Sequence, residues 1–152
     1  MDNTTTEFVW VTETSDPFFH WPAVAEVAES GQPLVVYSKN LVPVDFFRDH
    51  PRVALGLTIT GWGGTWLEPG VAPPETMVAH FNRVADAMGL ERLRLRVDPG
   101  IPTAEGLGRA TAVLAGIAAP VRTITSIIQF YKGHDTLFHK LGIDRSRYSK
   151  KS

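Results

Sequence analysis

A chain of 152 residues with 43% hydrophobic and 20% charged residues has the composition of one globular domain with a real core, not of a disordered segment. It contains no cysteine, which excludes disulfides, thiolate zinc sites, cysteine nucleophiles and a self-supplied iron–sulfur cluster. The formal net charge of −1 gives no global pull toward nucleic acid or membrane.

The first residues, MDNTTTEFVW, lack the basic start and long apolar stretch of a secretory signal. No apolar run approaches the ~20 residues that span a bilayer, so no membrane partner and a cytoplasmic location are expected.

Phe8–Val11 is aromatic and β-branched and reads as a strand, broken by Asp16-Pro17. Pro22 suits a first helical turn. Ala23–Ser30 carries Val24, Val27 and Ala28 at helical spacing, and Gly31 fits a C-cap. Leu34–Tyr37 is continuously apolar, the pattern of a strand buried on both faces of a parallel sheet. Val44–His50 reads as a short helix or turn, closed by Pro51. Val53–Thr60 is a third strand, followed by the glycine-rich loop Gly61–Gly64.

Pro74-Glu75 opens a helix in which Met77, Phe81, Val84, Ala85 and Met88 form a core-facing stripe, and Gly89 ends it. Arg92–Val97 alternates arginine with Leu93, Leu95 and Val97, a strand with one basic side. Thr103 fits an N-cap before the Ala-rich helix Leu107–Ile117. Val121–Tyr131 is a fifth strand, and a short helix around Thr136–Leu141 precedes a basic end. Strand and helix thus alternate about five times. The expected fold is α/β, a partial (βα) barrel of about five parallel strands over residues 1–141, with a basic tail over 142–152. From Lys140 to Ser152 there are five basic residues and one acid. Such a segment is either a solvated terminus or a contact for nucleic acid or an acidic partner.

Four of the strands end in polar clusters, and parallel α/β folds build their sites from strand carboxyl ends. Asp16 either receives hydrogen bonds from a ligand or serves the turn before Pro17. Lys39, between Ser38 and Asn40, either reaches into the strand-end cleft or snorkels to solvent. Thr58 and Thr60 place two hydroxyls on one face, as ligand donors or merely as good strand formers.

Gly61–Gly64 lets the backbone approach a ligand, although no phosphate-loop pattern is present, and Trp62 and Trp66 either stack on a ring or cover the core. Arg94, Arg96 and Asp98 share a face. The arginines need an edge position, acids such as Glu13, Asp16 and Glu68, or an anionic ligand. The five histidines show no metal-ligand spacing and read as surface or capping residues.

Taken together, the segments TETSDPF, VVYSKN, LTITGWG with LEP and PPE, LRLRVDPGIP and ITSIIQFYK resemble the radical S-adenosylmethionine superfamily. The similarity is to the branch of spore photoproduct lyase-like proteins and the DUF1848 family. It runs from about Phe8 to Leu141. The resemblance implies a partial barrel whose strand ends hold S-adenosylmethionine and a [4Fe–4S] cluster. It also implies contacts to that cofactor from Asp16, Lys39, Thr58, Thr60, Arg96 and Asp98, with Glu13, Asn40, Trp62 and Glu68 toward a substrate. The family's cluster cysteines have no counterpart here, so a cluster requires ligands from another chain.

The expected function is a cluster-less domain that binds S-adenosylmethionine or a nucleotide-like ligand at the rim. It would work alone, as one half of a split nucleic-acid-modifying enzyme with a cysteine-bearing partner, or as part of a longer enzyme. The alternatives are a non-catalytic interaction subunit, a homo-oligomer among them, in which the fifth strand's edge and the Phe18-Phe19-Trp21 patch meet another chain, and a cluster-independent enzyme acting on an anionic metabolite. In that enzyme Lys39 and Arg96 would hold the anion, with Asp16 or Glu68 as base.

Overall fold

The computed structural model describes residues 10–11, 15–128 and 135–144. Four parallel strands carry the sheet: β2 (Leu34–Ser38), β3 (Val53–Thr58), β4 (Leu93–Gly100) and β5 (Thr123–Ile127). A two-residue piece, β1 (Trp10–Val11), adds to the edge of β2. Spatial order follows chain order, β1-β2-β3-β4-β5, with every pair parallel. Among the described residues β1 pairs only with β2 and β5 only with β4, so the sheet is open.

The helices are α1 (Trp21–Glu29), α2 (Val44–Asp49), α3 (Pro74–Met88), α4 (Ala104–Gly116) and α5 (Asp135–Lys140). A 3-10 turn, Pro17–His20, leads into α1. Proline within the first turns of α1 and α3 starts those helices without losing a needed N–H. The Thr103 hydroxyl accepts the Gly106 N–H at 3.0 Å and caps α4, as its position predicts.

One core joins the sheet to the helices. Leu34, Val36, Val53, Leu55, Leu57, Leu93, Leu95 and Val97 pack against Val24 and Ala28 of α1, Phe47 of α2, the Met77–Phe81–Val84–Met88 stripe of α3 and Val113 of α4. All four helices therefore cover the same face. Strand side chains alternate across a sheet, so the intervening residues lie on the other face. These include Val35, Tyr37, Thr58, Arg94 and Arg96, which no helix among the described residues covers. The expectation that Leu34–Tyr37 is buried on both faces is thereby corrected. Val35 and Tyr37 are only half-buried because the sheet has a single helical layer.

A second, smaller cluster of Trp62, Ile101, Phe138 and Ile143 closes the carboxyl end beyond β3 and β4. The fifth strand is shorter than its apolar pattern suggests, and residues 129–131 of that pattern lie outside the described residues. Every residue of β5 is exposed, because α5 packs into this second cluster and does not cover β5. No helix among the described residues is long and apolar enough to cross a membrane.

Candidate functional site at the strand carboxyl ends

A cavity of about 630 Å3 opens at the carboxyl ends of β2, β3 and β4, on the face without helices. Its walls are Ser15 and Asp16 before the 3-10 turn, Tyr37, Ser38 and Lys39 from β2, Thr58 from β3, Arg96 from β4 and Ile124 from β5. The strand register explains the convergence: Ser38 pairs with Leu57, Thr58 with Arg96, and Arg96 with Ile124.

Tyr37 and Gly56 are register partners, and Gly56 lets the tyrosine lie flat over β3. A Cβ at Gly56 would sit 2.3 Å from Tyr37 Cδ1. The Arg96 guanidinium stands 5.0 Å from the centre of the Tyr37 ring, a cation–π arrangement. Arg96 also donates to Asp98 Oδ2 at 2.7 Å, and the Ser126 hydroxyl donates to Asp98 Oδ1. The arginine is thus held at the lip by one carboxylate and one ring, with 30% of its side chain exposed. Thr58 is buried yet lines the cavity, and its hydroxyl makes no hydrogen bond within the described residues.

Asp16 has a different role. Its Oδ1 accepts the Phe18 N–H at 3.0 Å and the Ser38 hydroxyl at 2.8 Å, and its Oδ2 accepts the Lys39 N–H at 2.7 Å and the Asn40 amide at 2.9 Å. Four donors occupy the carboxylate, which staples the turn before α1 to the end of β2. Lys39 Nζ bonds Glu68 Oε1 at 2.7 Å, and Glu68 Oε2 accepts the Thr60 hydroxyl. Thr60 in turn accepts the Trp62 N–H at 3.1 Å, which shapes the loop after β3. Glu68 is therefore held between a lysine and a threonine.

Of the residues singled out from the sequence, Asp16, Lys39, Thr58 and Arg96 line the cavity. Thr60, Glu68, Asp98 and Asn40 bond to residues around it and do not line it. Glu13 lies outside the described residues. Trp62 is 3% exposed, packed with Ile101, Phe138 and Ile143 and faced by the Arg109 guanidinium at 4.5 Å, so it has no free ring face for a base. Nor do the loop glycines meet a ligand. A Cβ at Gly63 would lie 2.0 Å from the Ala72 carbonyl oxygen, so the glycine there serves close approach of the chain to itself.

Arg92, just before β4, also finds partners not expected from the sequence. Arg92 donates to the carbonyls of Phe47, His50, Val53 and Met88 at 2.7–3.3 Å, and needs no acid. His50 caps α2 through its Nδ1 and the Phe46 carbonyl at 2.8 Å, and His20 and His139 are exposed, as a surface or capping role requires. His80 departs from that reading. It is buried on α3, where burial, reinforced by Arg83, holds its imidazole below the usual pKa. Ser15, Tyr37, Ser38 and Ile124 are cavity residues that sequence reasoning missed as site residues. The signal for Tyr37 was Gly56, a glycine inside a strand, which marks close approach of another group.

A parallel α/β sheet with helices on one face and a cavity at its strand carboxyl ends defines a fold class, not an activity. No protein-family model, curated protein or solved structure significantly matches the chain.

Proposed function

We propose that this cavity binds a small nucleoside-derived ligand carrying a carboxylate, with S-adenosylmethionine as the ligand that the sequence resemblance implies. The observation that carries the reading is the convergence of Arg96, Thr58 and Tyr37 on one cavity. A partly exposed guanidinium suits a carboxylate, an unengaged hydroxyl suits a ribose or amine, and a tyrosine beside it supplies an apolar wall. About 630 Å3 lies within the usual range for small-molecule sites, roughly 300–1,000 Å3.

The residues do not fit an iron–sulfur cluster. The chain has no thiolate to offer, and no group of three His, Asp or Glu residues that would hold a metal ion occurs among the described residues. Radical chemistry is therefore not assigned to this chain; a cysteine-bearing partner would have to bring the cluster. The reading as an anion-metabolite enzyme finds less support, since Asp16 is engaged by four donors in the turn before α1 and Glu68 is paired with Lys39 and Thr60 outside the cavity lining. Continuation of the sheet into a larger barrel and a cytoplasmic setting belong to the same proposal.

Thermal denaturation with S-adenosylmethionine, S-adenosylhomocysteine and adenosine tests the reading. The first two raise the midpoint, since ligand at about 100 times its Kd stabilises by about 2.7 kcal/mol. Arg96→Ala abolishes the shift and Thr58→Val reduces it, with the ligand-free midpoint nearly unchanged. An unmoved wild-type midpoint at millimolar ligand would end the proposal.

A further inference from the structure

We infer that the outer edge of β5 is the contact between two copies of this chain, paired antiparallel about a two-fold axis through Thr125. The inference does not depend on the ligand reading.

The composition of this surface is that of an interface. Between Ala110 and Ile128 the chain has one charged residue, Arg122, although 20% of the whole sequence is charged. Much of this stretch faces solvent. Leu114 is 48% exposed, Ile124 39% and Ile127 62%, and Leu107 of the same helix is 64% exposed. Interface cores are depleted in charge in this way. Among the described residues the edge also lacks the usual protections. Thr123–Ile127 has no lysine, proline or bulge of its own; the register shift lies in β4, between Val97 and Gly100.

The backbone specifies the register. The Arg122 carbonyl accepts the Leu95 N–H, and the Ile128 N–H donates to the Gly100 carbonyl, so even-numbered residues of β5 turn their polar groups toward β4. By the alternation of a strand, Thr123, Thr125 and Ile127 turn theirs outward. An antiparallel pairing centred on Thr125 sets Thr123 against Ile127 of the second copy and Thr125 against itself. All three outward residues of each copy are then matched. Arg122 falls opposite Ile128, and the two arginines lie at opposite ends, so no like charges meet.

Side-chain shape fits the same pairing. On the helical side, Thr123 lines a hollow of about 360 Å3 with Leu95, Leu114, Ile117, Pro120 and Val121. In the two-fold pair, Ile127 of the second copy arrives opposite Thr123, at the mouth of this hollow. An exposed apolar knob thus meets an open hollow of mixed polarity across the axis. On the other face the second copy's Ser126 lies opposite Ile124, so the pair extends the wall of the ligand cavity.

Sedimentation velocity of the full chain over a hundredfold concentration range tests the inference. The wild type sediments as a dimer. Ile127→Lys, at a site already exposed, weakens the dimer at least tenfold while circular dichroism stays unchanged. Thr125→Pro does the same by removing an outward N–H that β4 does not use. Phe19→Lys, at an exposed phenylalanine on the opposite side of the sheet order, leaves the dimer intact. A wild type that stays monomeric at tens of micromolar, or a dimer indifferent to both Ile127→Lys and Thr125→Pro, overturns it.

Discussion

Asp16 shows how one carboxylate is spent on architecture at the lip of a cavity. Its four donors come from Phe18, Ser38, Lys39 and Asn40, so it fixes both the start of the turn before α1 and the exit of β2. Asp16→Ala leaves these donors without their acceptor and lowers stability by about 2–3 kcal/mol, read as a shift in the urea midpoint. Asp16→Asn costs less, about 1–2 kcal/mol, because one acceptor oxygen remains. The local half of this role was legible, since aspartate before proline is a turn device. The other half was not, because Ser38 and Asn40 lie 22 and 24 residues away.

His80 carries a second consequence at this scale. Burial, with Arg83 adding to it, lowers its folded pKa, so the unfolded chain binds a proton that the folded chain refuses. Its contribution to stability is full above the unfolded value, about 6.5, and is lost as pH falls below it toward the depressed folded value. The slope is at most about 1.4 kcal/mol per pH unit for one proton. Melting midpoints of wild type and His80→Leu measured from pH 8 to 5 check this: the wild type loses more on acidification. Equal losses in the two proteins would show that another group governs the acid limb.

Among the elements, β4 was legible in outline and misleading in detail. Alternation of arginine with Leu93, Leu95 and Val97 placed the strand and its buried face, and both are present. The arginines' partners depended on neighbours no pattern reveals. Arg92 gathers carbonyls from the ends of α2 and α3 and from the start of β3, satisfying acceptors that helix ends leave open. Arg92→Lys keeps the charge but not the fork, and costs about 2–3 kcal/mol in chemical denaturation. Full recovery of stability by lysine would show that charge alone suffices. In β3, Gly56→Val drives a methyl into the Tyr37 ring and displaces it. The expected result is loss of ligand binding together with about 1–3 kcal/mol of stability.

At the level of the whole molecule, the chain lays its strands side by side in order and packs every large helix on one face. The repeating strand–helix pattern made that order legible. The single-sidedness was not, because a run such as Leu34–Tyr37 reads the same whether one face or both are covered. The central strand should be the most resistant part. Leu55 and Leu57 are essentially inaccessible, and β3 is bonded on both sides. Their amides exchange with solvent only through global unfolding, which native-state hydrogen exchange reads as protection equal to the full unfolding free energy. Protection well below that value would show that β3 opens locally.

Arg92 ties the sheet to its helices at the amino end of β4, whereas the cavity lies at the carboxyl ends. Val35, Tyr37, Thr58, Arg96 and Ile124 occupy the uncovered face and take no part in the joint core. Under the proposed function, recognition can therefore drift while the scaffold stays fixed. Randomising those positions leaves the helical layer untouched and yields a family of binders on one frame, each inheriting its foldability from residues that never meet the ligand.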